Sequence, residues 1–152
     1  MLKEKLFRER DWLEKCAFIG LGNKDRADDG FGLAVAAKLS QIHKDRVFSE
    51  ETLDISQVLL KIIGNDNYST IIVIDAVDFE ASPGTIIFTS SINNVKKPFS
   101  SHTIPFQMIR DIIEKNKKEL LFVGVQIQNL TFLEPMSSVV EQRVEDVITL
   151  LS

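Results

Sequence analysis

The sequence FIGLGN at residues 18–23, followed by DDGFG at residues 28–32, decides the fold of this chain. An apolar strand runs into a glycine turn, and two adjacent carboxylates, Asp28 and Asp29, stand where a helix is expected to begin. Glycine permits turn geometries that are closed to other residues. Because α/β folds bind ligands at the carboxyl ends of their strands, this segment places one or two carboxylates at the expected functional edge.

Apolar strands alternate with amphipathic helices along the rest of the chain, which predicts a three-layer α/β domain. The predicted strands cover residues 16–22, 46–52, 70–75, 85–89 and 120–125, and the predicted helices cover residues 29–39, 56–63, 104–116 and 137–151. Only about ten residues separate the third strand from the fourth, too few for a helical crossover. We therefore expect the strand at 85–89 to be antiparallel and to lie at or near an edge of the sheet.

Composition limits the possible functions. The chain has 152 residues, which we treat as one domain over residues 1–152 with a charged N-terminal extension at residues 1–14. Its net charge of -4 argues against nucleic-acid partners and anionic membranes. No apolar run approaches the ~20 residues needed to span a bilayer, and residues 1–14 contain no signal-peptide core, so we expect a cytoplasmic protein with no membrane partner. The single cysteine, Cys16, excludes an internal disulfide and is expected to be buried.

Three residues are candidates for a shared site. Asp29 follows the first strand, Asp75 ends the third, and His102 precedes a helix. The carboxyl ends of parallel strands share one edge, so Asp29 and Asp75 should be neighbours, and His102 can reach them if its helix packs beside the sheet. Two carboxylates and an imidazole suit zinc, nickel or iron. A close carboxylate pair can instead share a proton and act as general acid and base.

Several other residues have simpler interpretations. Asp28 can cap the first helix, Asp78 is expected to be a turn or surface residue, and His43 is expected to be exposed to solvent. The glycine turn lacks the third glycine of the dinucleotide-binding fingerprint, so it does not indicate a nucleotide site. We expect Gly22 and Gly30 to tolerate alanine poorly if the turn brings the backbone of a binding partner close.

Four short motifs occur in an order that resembles the hydrogenase maturation proteases. They are GLGN with DDGFG at residues 20–32, VIDA with PGT at residues 73–85, SH at residues 101–102 and GVQ at residues 124–126. Each motif is weak alone, but the ordered set is specific and extends over about residues 16–151. Ile127 and Ser138 stand where the family often has proline, which leaves open which hydrogenase is the substrate.

The resemblance implies an α/β/α sandwich with a five-stranded, mostly parallel mixed sheet and one antiparallel strand. It implies a hydrolase of the aspartic peptidase type that removes the C-terminal peptide of a nickel-loaded [NiFe] hydrogenase large-subunit precursor. In this family the catalytic and metal-binding trio corresponds to Asp29, Asp75 and His102. The nickel belongs to the large subunit, which is the expected partner, and no organic cofactor is implied. We expect the protein to act as a monomer.

Two alternatives remain open at this point. A peptidyl-tRNA hydrolase-like enzyme also has Gly-Leu-Gly-Asn after its first strand, but this chain lacks that family's other pattern and is acidic, whereas a tRNA partner favours a basic surface. The other alternative is a non-catalytic maturation factor that binds the large subunit without cutting it.

Overall fold

The computed structural model describes residues 10–97 and 105–152. Over these residues the chain forms five strands: β1 (Cys16–Gly20), β2 (Val47–Ser49), β3 (Thr70–Val77), β4 (Ile86–Thr89) and β5 (Glu119–Gln126). It also forms four α-helices: α1 (Phe31–Ile42), α2 (Ile55–Ile63), α3 (Phe106–Lys115) and α4 (Ser138–Leu151). Short 3-10 helices cover Arg10–Lys15 and Ala27–Gly30. No helix among the described residues is long and apolar enough to cross a membrane.

The strands form one mixed sheet in the order β2-β1-β3-β5-β4. β1 pairs in parallel with β2 and β3, and β3 pairs in parallel with β5. β4 pairs antiparallel with β5 and lies at the edge. The prediction of one antiparallel strand near an edge of a mostly parallel sheet is confirmed.

Helices cover both faces of the sheet, which confirms the three-layer architecture. The side chains of β3 alternate between the two faces, as expected for a strand buried on both sides. Ile72 and Ile74 pack into the cluster that contains the apolar side chains of α1 and α4. Ile71 and Val73 pack into the cluster formed with α2 and α3.

The described helix and strand boundaries differ from the predicted ones at several ends, of which those near the candidate site and in the short strands matter most. β2 has three residues instead of seven, and α1 begins only after the 3-10 helix Ala27–Gly30 instead of at residue 29. β3 continues to Val77, so Asp75 lies inside the strand and not at its end. The helix predicted from residue 104 begins at Phe106, with Pro105 as its N-cap residue.

Two glycines allow α1 to lie directly on the sheet. A Cβ atom on Gly32 would lie 2.3 Å from the Leu21 carbonyl oxygen and 2.4 Å from the Ile74 carbonyl oxygen. A Cβ atom on Gly20 would lie 2.3 Å from the carbonyl oxygen of Gly32. Only glycine permits this approach, which brings the segment before α1 against the ends of β1 and β3.

Candidate functional site

Asp29 and Asp75 meet at a single ammonium group, that of Lys97. Nζ of Lys97 donates a hydrogen bond to Oδ1 of Asp29, to Oδ1 of Asp75 at 2.6 Å and to the carbonyl oxygen of Ala76 at 2.8 Å. The expectation that the two carboxylates are neighbours is confirmed. Asp29 comes from the 3-10 helix after β1, Asp75 from β3, and Lys97 from the connection between β4 and α3.

The group is almost completely buried. The side chains of Asp29, Asp75 and Lys97 are 3%, 0% and 7% exposed. Burial alone would lower the pKa of Lys97, but the charges of Asp75 and Asp29 and their hydrogen bonds outweigh burial and raise it above 10.5. Lys97 is therefore a cation at neutral pH. Buried charges are stable only when they are paired and hydrogen-bonded, and this ammonium group provides a partner for both carboxylates.

Asp75 occupies a position that the strand pattern would give to an apolar side chain. It lies on the same face of β3 as Ile71, Val73 and Val77, which belong to the core under α2 and α3. Its Oδ1 also accepts a hydrogen bond of 2.8 Å from the backbone N–H of Ala76, which fixes the direction of the carboxylate. A carboxylate inside an apolar row is costly for folding, which favours a functional role.

Asp28, the other carboxylate of the DDGFG motif, has a different position and role. It is completely buried, and it accepts hydrogen bonds of 2.7 to 2.8 Å from the backbone N–H groups of Gln128, Asn129 and Ser137 and from the hydroxyl of Ser137. The expectation that Asp28 caps the first helix was wrong, since α1 has no side-chain cap. Asp28 instead holds the segment between β5 and α4 against the 3-10 helix.

The glycine turn packs against the backbone of Asp29. Gly22 has φ +141°, and a Cβ atom there would lie 1.9 Å from the carbonyl oxygen of Asp29. Its N–H donates a 2.8 Å hydrogen bond to Oε1 of Glu50. Gly30 is different, because a Cβ atom there would make only ordinary contacts of 3.5 Å or more. Contacts within the chain therefore make alanine unfavourable at Gly22 but leave room for it at Gly30. The expectation that both glycines lie close to a substrate backbone stays a prediction.

The glutamine of the GVQ motif has a structural role in the turn after β3. Oε1 of Gln126 accepts hydrogen bonds from the N–H groups of Phe79 and Ala81, and its Nε2 donates to Oδ1 of Asp78 at 3.0 Å. Asp78 also accepts a hydrogen bond from the backbone N–H of Glu80. The hydrogen bond from Glu80 has the largest effect on the pKa of Asp78, followed by that from Gln126, and both lower it. Asp78 is therefore a turn residue, as expected.

His43 is half-buried, so the expectation that it is exposed was wrong. Its ring stacks on Phe18 with centroids 4.9 Å apart. Nε2 donates to the carbonyl oxygen of Leu151 at 2.6 Å, and Nδ1 accepts from the Arg46 guanidinium at 2.8 Å. Burial is the main reason that the pKa of His43 is lowered, and the charge of Arg46 lowers it further. The hydrogen bond to the Leu151 carbonyl oxygen opposes both effects but does not outweigh them. The ring links the end of α1 to the end of α4.

His102, the third predicted site residue, lies outside the described residues. Within residues 10–97 and 105–152, no group of three His, Cys, Asp or Glu side chains is arranged to hold a metal ion. Three oxygens, those of Asp29, Asp75 and Ala76, do converge on one cation. Carboxylate and carbonyl oxygens are metal ligands as well as ammonium acceptors, so this donor set fits a metal ion.

Lys97 is the residue that the sequence prediction missed. It lies in the polar connection between the predicted strand at residues 85–89 and the predicted helix at residues 104–116, where a lysine is normally solvated. The signal that was available is indirect: two buried carboxylates with a net charge of −2 require a cation nearby. Nothing in the sequence selects Lys97 over the adjacent Lys96.

Comparisons with known proteins identify the class of protein to which this α/β fold belongs, that of the hydrogenase maturation proteases. The model of a family described as hydrogenase maturation protease matches residues 53–152, about two thirds of the chain. A candidate hydrogenase maturation protease of Methanocaldococcus jannaschii is 31% identical over 117 residues, covering 74% of this chain and 76% of that protein. The chain therefore belongs to the hydrogenase maturation protease family.

Solved structures show the same fold. The [NiFe] hydrogenase maturation protease HycI from Thermococcus kodakarensis superimposes with a TM-score of 0.74 at 21% identity, covering 93% of this chain and 94% of that one. The endopeptidase HycI from Escherichia coli gives 0.73 at 22% identity, covering 89% and 87%. The hydrogenase maturating endopeptidase HybD from E. coli gives 0.67 at 21% identity, covering 89% and 88%. The family assignment decides against the peptidyl-tRNA hydrolase-like alternative.

Proposed function

We propose that the protein is an endopeptidase that removes the C-terminal peptide of a nickel-loaded [NiFe] hydrogenase large-subunit precursor. Membership of the family supports a peptidase role in hydrogenase maturation. One observation carries the assignment to particular residues: the buried carboxylates of Asp29 and Asp75 converge on a single cation at the end of the sheet where α/β folds bind ligands.

The nickel ion of the precursor is the feature that the site recognises. Asp29 and Asp75 provide carboxylate oxygens, and His102 provides an imidazole nitrogen as a third ligand. This set of oxygen and nitrogen donors suits a divalent transition metal. Three protein ligands also leave positions for the groups that hold nickel in the precursor. Recognition of the ion restricts cleavage to precursors that have been loaded.

Hydrolysis of the peptide bond requires an activated water molecule. A carboxylate of the pair can accept the proton of the water as a general base. Alternatively, the nickel ion of the substrate can lower the pKa of a water bound to it. We favour the first route, which makes the protein a peptidase of the aspartic type, because Asp29 and Asp75 are already held as a close carboxylate pair.

The large-subunit precursor is the partner that this function requires. The chain carries a net charge of -4, and this acidic balance gives no support for a nucleic-acid partner. We propose that one copy of the chain acts on one precursor, because Asp29, Asp75 and His102 all come from the same chain.

The test is a mass measurement on the precursor. The purified protein is incubated with a cognate large-subunit precursor in nickel-loaded and nickel-free forms, and the intact mass of each is followed. We expect the loaded precursor alone to lose its C-terminal peptide. Binding of the loaded precursor without any loss of mass would instead identify the non-catalytic maturation factor. Cleavage of both forms at the same rate would contradict recognition of nickel.

A further inference from the structure

We propose that Lys97 is an exchangeable counter-ion. Its ammonium group holds the Asp29–Asp75 pair in the unloaded protein and leaves when a divalent cation enters between the two carboxylates. The proposal rests on the proposed function, because it concerns how the same carboxylate pair distinguishes a cation held by the precursor from a free ion.

The ammonium group occupies the position that an entering cation needs. It has three N–H groups and three acceptors, namely Oδ1 of Asp29, Oδ1 of Asp75 and the carbonyl oxygen of Ala76. Its hydrogen-bonding capacity is therefore used completely. A metal ion that ligates both carboxylates requires the same oxygens, so the nitrogen and the metal ion cannot lie between the carboxylates together.

The charges of the three side chains determine which cations can displace Lys97. With Lys97 in place, the two carboxylates and the ammonium group have a net charge of −1, and the ammonium repels an approaching divalent cation. Without Lys97 the pair has a charge of −2 in a site that is almost inaccessible to water. Lys97 thus stabilises the empty site and weakens its affinity for free divalent ions. A cation held by a docked protein is accompanied by additional protein–protein contacts, which can drive the displacement of Lys97. The exchange therefore favours a protein-bound ion over a free ion.

The backbone next to Lys97 is anchored while its side chain is long. Lys96 exchanges two 2.8 Å backbone hydrogen bonds with Asp78, so the chain is fixed one residue before Lys97. A lysine side chain has four methylene groups with rotatable bonds, which allows the ammonium group to move without moving the backbone. The side chain of Lys96 is exposed, which makes it a matched control of the same residue type.

The direct test is calorimetric titration of the full chain with Ni²⁺, in the absence of any precursor. We expect Lys97→Gln to bind Ni²⁺ at least tenfold more tightly than the native protein, and Lys96→Gln to bind it with native affinity. Adding Asp75→Asn to Lys97→Gln should remove the gain. Unchanged affinity in Lys97→Gln, or a gain that survives Asp75→Asn, would overturn the proposal.

A second measurement applies if Lys97→Gln folds but is too unstable for calorimetric titration. Thermal unfolding is then followed with and without Ni²⁺. We expect Ni²⁺ to raise the Tm of Lys97→Gln more than that of the native protein, and the double variant Lys97→Gln/Asp29→Asn to fold without metal. If Ni²⁺ does not raise the Tm of Lys97→Gln more than that of the native protein, and the double variant does not fold, then Lys97 has only a structural role. Neither measurement uses the precursor, so its outcome is independent of the cleavage test.

Discussion

The ammonium nitrogen of Lys97 lies 2.6 Å from Oδ1 of Asp75, on a face of β3 that is otherwise apolar. The same nitrogen contacts Asp29, so three charged side chains from three segments of the chain depend on each other. The carboxylate pair and the stability of this part of the core are therefore linked through the ammonium group of Lys97.

Charge balance predicts different costs for removing the cation and for removing a carboxylate. Asp29→Asn changes the net charge of the group from −1 to 0 and leaves one buried ion pair intact. Lys97→Gln changes it to −2 and leaves two buried carboxylates without this cation, which typically costs about 3–5 kcal/mol. We expect Lys97→Gln to lower the free energy of unfolding in urea more than Asp29→Asn does. The reverse order would contradict the charge assignment.

Asp28 should be important for stability because of its four hydrogen bonds. Asp28→Ala removes the acceptor for the N–H groups of three residues and one hydroxyl, which should destabilise the protein by about 3 kcal/mol in urea denaturation. The exposed Asp66 is the control, and Asp66→Ala should change stability by less than about 0.5 kcal/mol. Equal effects at both positions would show that the segment after β5 does not depend on Asp28.

The two glycines of the opening motif should respond differently to alanine. Gly22→Ala introduces a Cβ atom that overlaps the Asp29 carbonyl, at a positive φ, so we expect a loss of about 2 kcal/mol or more and reduced cleavage. Gly30→Ala meets only ordinary contacts at a negative φ and should leave stability within about 1 kcal/mol of native. Urea unfolding of the two variants side by side measures the difference. A Gly22→Ala protein as stable as Gly30→Ala would contradict the described turn.

His43 should make stability depend on pH. Its lowered pKa means that the unfolded chain binds a proton more readily than the folded one below the ordinary value of 6.5. The contribution of neutral His43 to the free energy of unfolding is fully present above pH 6.5. It is lost as the pH falls from 6.5 through the lowered pKa of His43 in the folded protein. Between pH 7 and pH 5, the free energy of unfolding should therefore fall more in the native protein than in His43→Gln. Identical pH profiles for the two proteins would refute this.

Much of the fold could be predicted from local patterns. The alternation of strands and helices and the short connection before residues 85–89 were sufficient to predict a mixed sheet with helices on both faces, and the structure confirms this. Boundaries were less accurate where tertiary packing decides them. The two residues that extend β3 beyond Asp75 continue its pairing with β5, which no local pattern reveals.

The candidate site could be predicted only in part. Because the carboxyl ends of parallel strands share one edge, the sequence predicted that Asp29 and Asp75 are neighbours. Both do contact Lys97, although Asp75 lies two residues before the end of β3. The sequence could not distinguish the roles of Asp28 and Asp29, which are adjacent residues of the same type. Their roles depend on which of the two carboxylates faces the segment around Ser137. The position of Lys97 depends on the path of a long connection, for which the sequence has no periodic signal.

The most direct test of the central claim compares Asp75→Asn with the exposed control Asp66→Asn on the same nickel-loaded precursor. The intact mass of the precursor is measured after incubation with each variant, and circular dichroism confirms that both are folded. We predict that Asp66→Asn removes the C-terminal peptide at the native rate and that Asp75→Asn leaves the precursor uncut. Cleavage by folded Asp75→Asn at the native rate would contradict the assignment of the carboxylate pair as the functional site.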